Sequence, residues 1–149
     1  MLSSFARTAH PIVAAAFVAC AVVQVFLAGL GVFDDPKAFV THREFGYLFG
    51  WLTLVILILS LAGRMPRRVT GLSLLLLILF ALQSLLVAVR ADLPVVAALH
   101  PLNGFAIVGV GVMTTRSSWR LRHASTTATA VAAPDEAGTI PTLAGDEAR

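Results

Sequence analysis

The sequence contains little cysteine and little charge. Its 149 residues include one cysteine, Cys20, so an internal disulfide is excluded, and no CxxC metal-binding pattern occurs. Charged residues make up 13% and hydrophobic residues 58%, a composition too apolar for an ordinary soluble domain. The basic residues are not gathered in one soluble segment, so the net charge of +3 does not indicate nucleic-acid binding.

Four long apolar segments dominate the chain. About 20 helical residues cross a bilayer core of roughly 30 Å, and residues 11–33, 39–63, 69–89 and 95–113 each reach that length. They predict an all-α fold, an integral membrane four-helix bundle within the lipid bilayer. We expect a cytoplasmic lead over residues 1–10, a transmembrane domain over residues 11–116 and a disordered cytoplasmic tail over residues 117–149. The tail lacks apolar periodicity, which is typical of disorder.

The distribution of arginines predicts how the chain crosses the membrane. Cytoplasmic connections carry an excess of Lys and Arg. The lead, the second connection and residues 114–123, which follow the fourth span, are basic without acidic residues. Their arginines are Arg7, Arg64, Arg67, Arg68, Arg116, Arg120 and Arg122. We therefore expect a multi-pass protein of the plasma (inner) membrane with both termini cytoplasmic, and His10 as a solvated residue at the cytoplasmic edge.

One sequence pattern occurs twice. Residues 34–46 read DDPKAFVTHREFG and residues 92–104 read DLPVVAALHPLNG, sharing Asp-x-Pro, then a histidine, then a glycine at matched positions. Each copy follows an apolar segment with a single glutamine, Gln24 or Gln83. The chain therefore reads as two repeated helical hairpins, whose pseudo-two-fold axis lies along the membrane normal. This symmetry places His42 and His100 at equal depth, facing each other if both point to the bundle axis.

The paired histidines favour haem over a bare metal ion. Ionisable groups at membrane depth are costly and usually face the protein interior. Zinc needs three or four protein ligands, and no Cys or carboxylate joins His42 and His100 at helical spacing. Haem brings four nitrogens and needs only axial ligands. We expect non-covalent haem b, ligated by both histidines. Helix packing without a cofactor and a different ligand remain as alternatives.

Further residues are expected to complete the site. Gly46 and Gly104 lie one turn deeper than the histidines, where a missing side chain leaves room for a flat molecule or serves helix packing. Gln24 and Gln83 lie near the same depth and are expected to hydrogen-bond to the cofactor or to each other. Candidate partners of the haem propionates are Arg90, Arg43 and Lys37. Pro101, which has no counterpart in the first copy, should kink the fourth helix.

The segments THREFG and ALHPLNG, each preceded by Q-x-x-L, carry a family resemblance. They resemble a small uncharacterised family of bacterial four-helix membrane proteins. The layout of residues 11–115 is also similar to one half of haem A synthase, which has histidines near the outer ends of its second and fourth helices. That resemblance implies a role in holding the cofactor. In the reactive half of that enzyme a carboxylate precedes one histidine by a turn, and Phe39 and Ala97 take this position here, which argues against haem hydroxylation.

Three functions are compatible with these features. The first is a b-type haem protein for electron transfer or haem handling, with an unidentified redox partner. The second is a non-catalytic structural or accessory subunit of a larger membrane complex, without a cofactor. The third, a transporter or channel, ranks last because one glutamine per hairpin gives little polar lining. Nothing in the sequence identifies the protein as an enzyme.

Overall fold

The part of the chain that the structure describes folds into four long helices and one short one. The structure is a computed structural model that describes the backbone of residues 1–131 and the side chains of residues 1–123. The helices are α1 (Leu2–Phe33), α2 (Ala38–Ala62), α3 (Arg67–Ala88), α4 (Pro94–Ala97) and α5 (His100–Val131). Four segments, with α4 and α5 counted as one, are long and apolar enough to cross a membrane. The predicted fold class is confirmed.

The long helices pack in the cyclic order α1, α2, α3, α5, and α5 packs back against α1. Helix α2 therefore lies diagonally opposite α5. The centre of the bundle is aromatic: the ring centroid of Phe49 lies 5.3 Å from that of Phe17 and 5.4 Å from that of Phe80. This apolar core separates two polar ends. We call the end with His42 and His100 the histidine end and the opposite one, which includes Arg7, the arginine end.

Asp35 organises the start of α2. The sequence predicts a helix from Pro36, whereas Pro36 and Lys37 form a turn and α2 begins at Ala38. The Asp35 carboxylate accepts a hydrogen bond from the Lys37 N–H at 2.9 Å, and the Asp35 carbonyl accepts one from the Ala38 N–H at 2.8 Å. Asp35 thus satisfies donors that the first turn of a helix leaves without a partner.

The second copy of the repeat breaks immediately before its histidine. Helix α4 ends at Ala97, and α5 begins at His100. The break follows from Pro101, which has no N–H and whose ring would clash with the carbonyl of Ala97 in a continuous helix. The expected interruption near the histidine is therefore present. His100 consequently lies at the start of α5, whereas His42 lies one turn inside α2.

The structure differs from the predicted plan at both ends. Helix α1 begins at Leu2, so the expected lead is helical, and His10 is fully buried rather than solvated. Helix α5 continues through residues 117–131, part of the segment expected to be disordered. No Gly or Pro between Gly111 and Pro134 is present to end this helix. The remainder of the predicted tail lies outside the described residues.

Candidate functional site

His42 and His100 face each other across the bundle axis at the histidine end. They belong to diagonally opposite helices, yet their ring centroids are 6.2 Å apart with an angle of 62° between the ring planes. Both residues are half-buried. The fold therefore brings together the two histidines that the repeat singles out.

Each imidazole makes the same kind of contact with the backbone of its own hairpin. The Nδ1–H of His42 donates to the carbonyl of Gln24 at 3.0 Å, and that of His100 donates to the carbonyl of Gln83 at 3.3 Å. A carbonyl oxygen only accepts hydrogen bonds, so Nδ1 carries the proton in each ring. The neutral imidazole then presents an unprotonated Nε2, the form that ligates a metal.

Gly46 makes room for the side chain of Gln24. The Gln24 amide donates from Nε2 to the His42 carbonyl at 2.6 Å. A Cβ added to Gly46 would lie 2.8 Å from this Nε2, whereas one added to Gly104 would lie 3.5 Å from Gln83 Nε2, an ordinary contact. Of the two roles expected for Gly46, the structure therefore supports packing. The Oε1 of Gln24 is buried and has no hydrogen-bond partner among the described residues.

Asn103 extends the polar network of the second hairpin. Its Nδ2 donates to the Leu79 carbonyl at 2.9 Å and to Gln83 Oε1 at 2.6 Å, and Gln83 Nε2 lies 3.2 Å from His100 Nε2. The matched position in the first hairpin is Phe45. Sequence reasoning missed Asn103. The sequence feature that could have identified it is a difference between the two copies of the repeat: the residue three positions after the histidine is polar in the second copy and apolar in the first.

The candidate propionate partners are exposed. The Arg43 guanidinium pairs with the Glu44 carboxylate at 2.8 Å, and Arg90 Nη1 donates to the Val87 carbonyl at 3.2 Å. Lys37 is also exposed. Within the described part of the chain, none of the three cations hydrogen-bonds to either imidazole. The three cations lie at the same end of the bundle as His42 and His100, but the described contacts do not connect them with the two imidazoles.

The donor set suits haem better than a bare ion. Among the described residues, no group of three or more His, Cys, Asp or Glu is placed to hold a metal. The ring centroids of His42 and His100 are 6.2 Å apart, the spacing of an edge-to-face aromatic pair. His100 Nε2 lies 3.2 Å from Gln83 Nε2, so this spacing fits packing without a cofactor.

A second buried histidine lies at the arginine end. His10 is fully buried on α1, with its Nε2 3.2 Å from Ser73 Oγ and its Nδ1 2.9 Å from Ser118 Oγ. The Ser73 hydroxyl donates to the Val69 carbonyl at 2.9 Å, so its oxygen is free to accept from His10 Nε2–H. His10 thus links α1 to α3 and α5. Arg7 adds a bond from its Nε to the Gly63 carbonyl at 2.8 Å.

Comparison with known proteins shows that part of this chain is similar to a family. Residues 24–90 match a family of unknown function (DUF6220). The expected likeness to an uncharacterised family is confirmed. The match includes Gln24, His42 and Gln83 and ends before His100. No curated protein and no solved structure matches the chain, and the similarity to haem A synthase stays a prediction from the sequence.

Proposed function

We propose that this membrane protein binds haem b non-covalently for electron transfer or haem handling, and that His42 and His100 would hold it through their imidazoles. One observation carries the proposal: each histidine donates its Nδ1–H to a glutamine carbonyl of its own hairpin. This contact sets each Nε2 in the form that binds a metal and fixes the orientation of the ring. Facing helices of a bundle are a common place for a cofactor held in this way.

Haem would supply the redox chemistry, and the residues of the chain would supply ligation. Imidazole on both sides of the iron favours electron transfer over oxygen activation. Phe39 lies edge-on to His42, with 6.3 Å between the ring centroids. It brings no carboxylate to the site, so we propose no hydroxylation chemistry. The exposed side chains of Arg90, Arg43 and Lys37 would be candidates for the propionates.

We also propose that the protein lies in the plasma (inner) membrane, with the histidine end at the outer face and both termini cytoplasmic. The arginine distribution supports this orientation, because basic residues accumulate on the cytoplasmic side. The contact of His10 with Ser118 joins the start of the chain to the later part of α5 at one end of the bundle.

An absorption spectrum of the detergent-purified full-length protein, expressed with ample haem, tests the proposed function. We expect a Soret band in the wild-type protein that His42→Ala abolishes and His100→Ala alters. His123→Ala is the matched control, because His123 is an exposed histidine at the opposite end of α5, and it should leave the band unchanged. A colourless wild-type protein would contradict the proposal.

A second candidate is a non-catalytic structural or accessory subunit without a cofactor. The packing of the Gln24 amide against Gly46 favours it, since this contact uses the space beside His42 to join α1 to α2. In that case histidine substitutions would change the assembly with partner proteins and produce no spectral change. Co-purification from the membrane, measured on the same variants, separates the two candidates.

A further inference from the structure

We infer that the two histidines are unequal ligands, with His42 as the permanent one and His100 as an exchangeable one restrained by Gln83 and Asn103. The inference rests on the proposed function and specifies how the same site is regulated. It follows from a difference between the two hairpins in the hydrogen bonding of Nε2, the nitrogen that would bind the iron.

The Nε2 of His42 is open to a ligand. The hydrogen bond of this ring runs from Nδ1–H to the Gln24 carbonyl. The nearby Gln24 amide donates to the backbone carbonyl of His42 at 2.6 Å and not to the ring. Among the described residues no hydrogen bond to His42 Nε2 is present, so no such bond would have to break for His42 to bind iron.

The Nε2 of His100 is already occupied. A carbonyl oxygen can only accept hydrogen bonds, so the Asn103 atom that faces the Leu79 carbonyl is the amide nitrogen Nδ2. The same Nδ2 also donates to Gln83 Oε1. With its oxygen held by Asn103, the Gln83 amide presents Nε2–H to His100 Nε2 at 3.2 Å. His100 carries its proton on Nδ1, which donates to the Gln83 carbonyl. The lone pair that iron would use therefore accepts a hydrogen bond from Gln83.

The two histidines also differ in their backbone support. His42 lies one turn inside α2, while His100 is the first residue of α5 and follows the break after Ala97. Helix ends lack part of the intrahelical hydrogen bonding and open more readily than helix interiors. Binding through His100 requires the Gln83 amide to turn away, and the bond from Asn103 opposes that movement. A labile bond on one side would let haem enter or leave without both ligands dissociating at once.

Haem content and spin state of the purified full-length variants test this inequality. We expect His42→Ala to lower the haem bound per protein about tenfold or more. His100→Ala should retain haem within about twofold of the wild-type amount and give a high-spin spectrum. Addition of free imidazole to His42→Ala should restore haem binding, which shows that this variant is folded.

Substitutions of the restraining pair give a second readout. Gln83→Leu removes the hydrogen bond to His100 Nε2, and Asn103→Leu removes the bond that holds the Gln83 amide in place. We expect each to raise the low-spin fraction and to slow carbon monoxide binding to the reduced protein. Ser84→Leu is the control on α3, because Ser84 is exposed, and it should match the wild type. If both histidine variants lose haem equally, or if His100→Ala loses more, the inequality is wrong and the haem site stands. A wild-type protein that binds no haem would instead overturn the proposed function itself.

Discussion

In the first hairpin the side-chain amide of Gln24 is closely packed between His42 and Gly46. Gln24 binds the His42 carbonyl at 2.6 Å because Gly46 leaves space for its Nε2. The equivalent glycine of the second hairpin, Gly104, has more room. The two glycines are therefore a matched pair in which the same substitution meets different surroundings.

We predict that Gly46→Ala is less stable than Gly104→Ala by about 1 kcal/mol, the size of an interhelical hydrogen bond in a membrane protein. Both substitutions add the same methyl group to a helix, so differences in helix propensity cancel. The free energy of unfolding in mixed detergent micelles measures the difference. Equal stability of the two variants would show that Gln24 moves aside without loss.

The sequence was sufficient to find the residues that the repeat marks. His42, His100 and the two glutamines occupy matched positions, and the symmetry of the hairpins brings them together. The sequence marks Asn103 only as a polar residue where the first copy has Phe45. Its role was not predictable, because it depends on which face of α5 meets α3. The occupied Nε2 of His100 depends on this residue, so the asymmetry of the site is visible only in the structure.

At the level of helices, local signals set some boundaries and packing sets others. Asp35 and Pro36 indicate the start of α2 to within two residues, and Pro101 indicates the break before α5. The polar residues before Pro11 suggested a lead outside the bundle. They are helical because this part of α1 packs in the bundle, with Ala6 buried and His10 placed between two serines. Sequence periodicity carries no information about such a contact between three helices.

We predict that His10→Ala destabilises the bundle by about 2 kcal/mol, since it removes the interhelical hydrogen bond to Ser73 and the contact with Ser118 and leaves a cavity. Ser60→Ala is the matched control at the same end. Ser60 is fully buried, but its hydroxyl bonds only to the Leu57 carbonyl of its own helix. Thermal unfolding followed by circular dichroism in detergent compares the two. A loss for Ser60→Ala as large as that for His10→Ala would contradict a specific role for His10.

Between its two polar ends, the described part of the chain exposes many large apolar side chains. Leu48, Trp51 and Phe105, for example, are about 70% exposed, and extensive apolar surface marks contact with lipid or a partner. Length and hydropathy of the spans were enough to predict this property. The proposed direction in which the bundle crosses the membrane is inferred from the arginine distribution alone, and the following labelling experiment tests it.

We predict that a membrane-impermeant thiol reagent labels Asp92→Cys in intact cells, in a Cys20→Ser background. Arg68→Cys in the same background is the control at the arginine end and should be labelled only after the cells are permeabilised. Both positions are exposed, so a difference in labelling reports the side of the membrane. The reverse pattern would place the histidine end in the cytoplasm.

The central proposal is that His42 and His100, each fixed through Nδ1, would hold a haem. The absorption spectrum of the purified full-length protein beside that of its His42→Ala variant tests it most directly. A Soret band in the first that is absent from the second is the predicted result. Identical spectra, or no band in either protein, would contradict the claim.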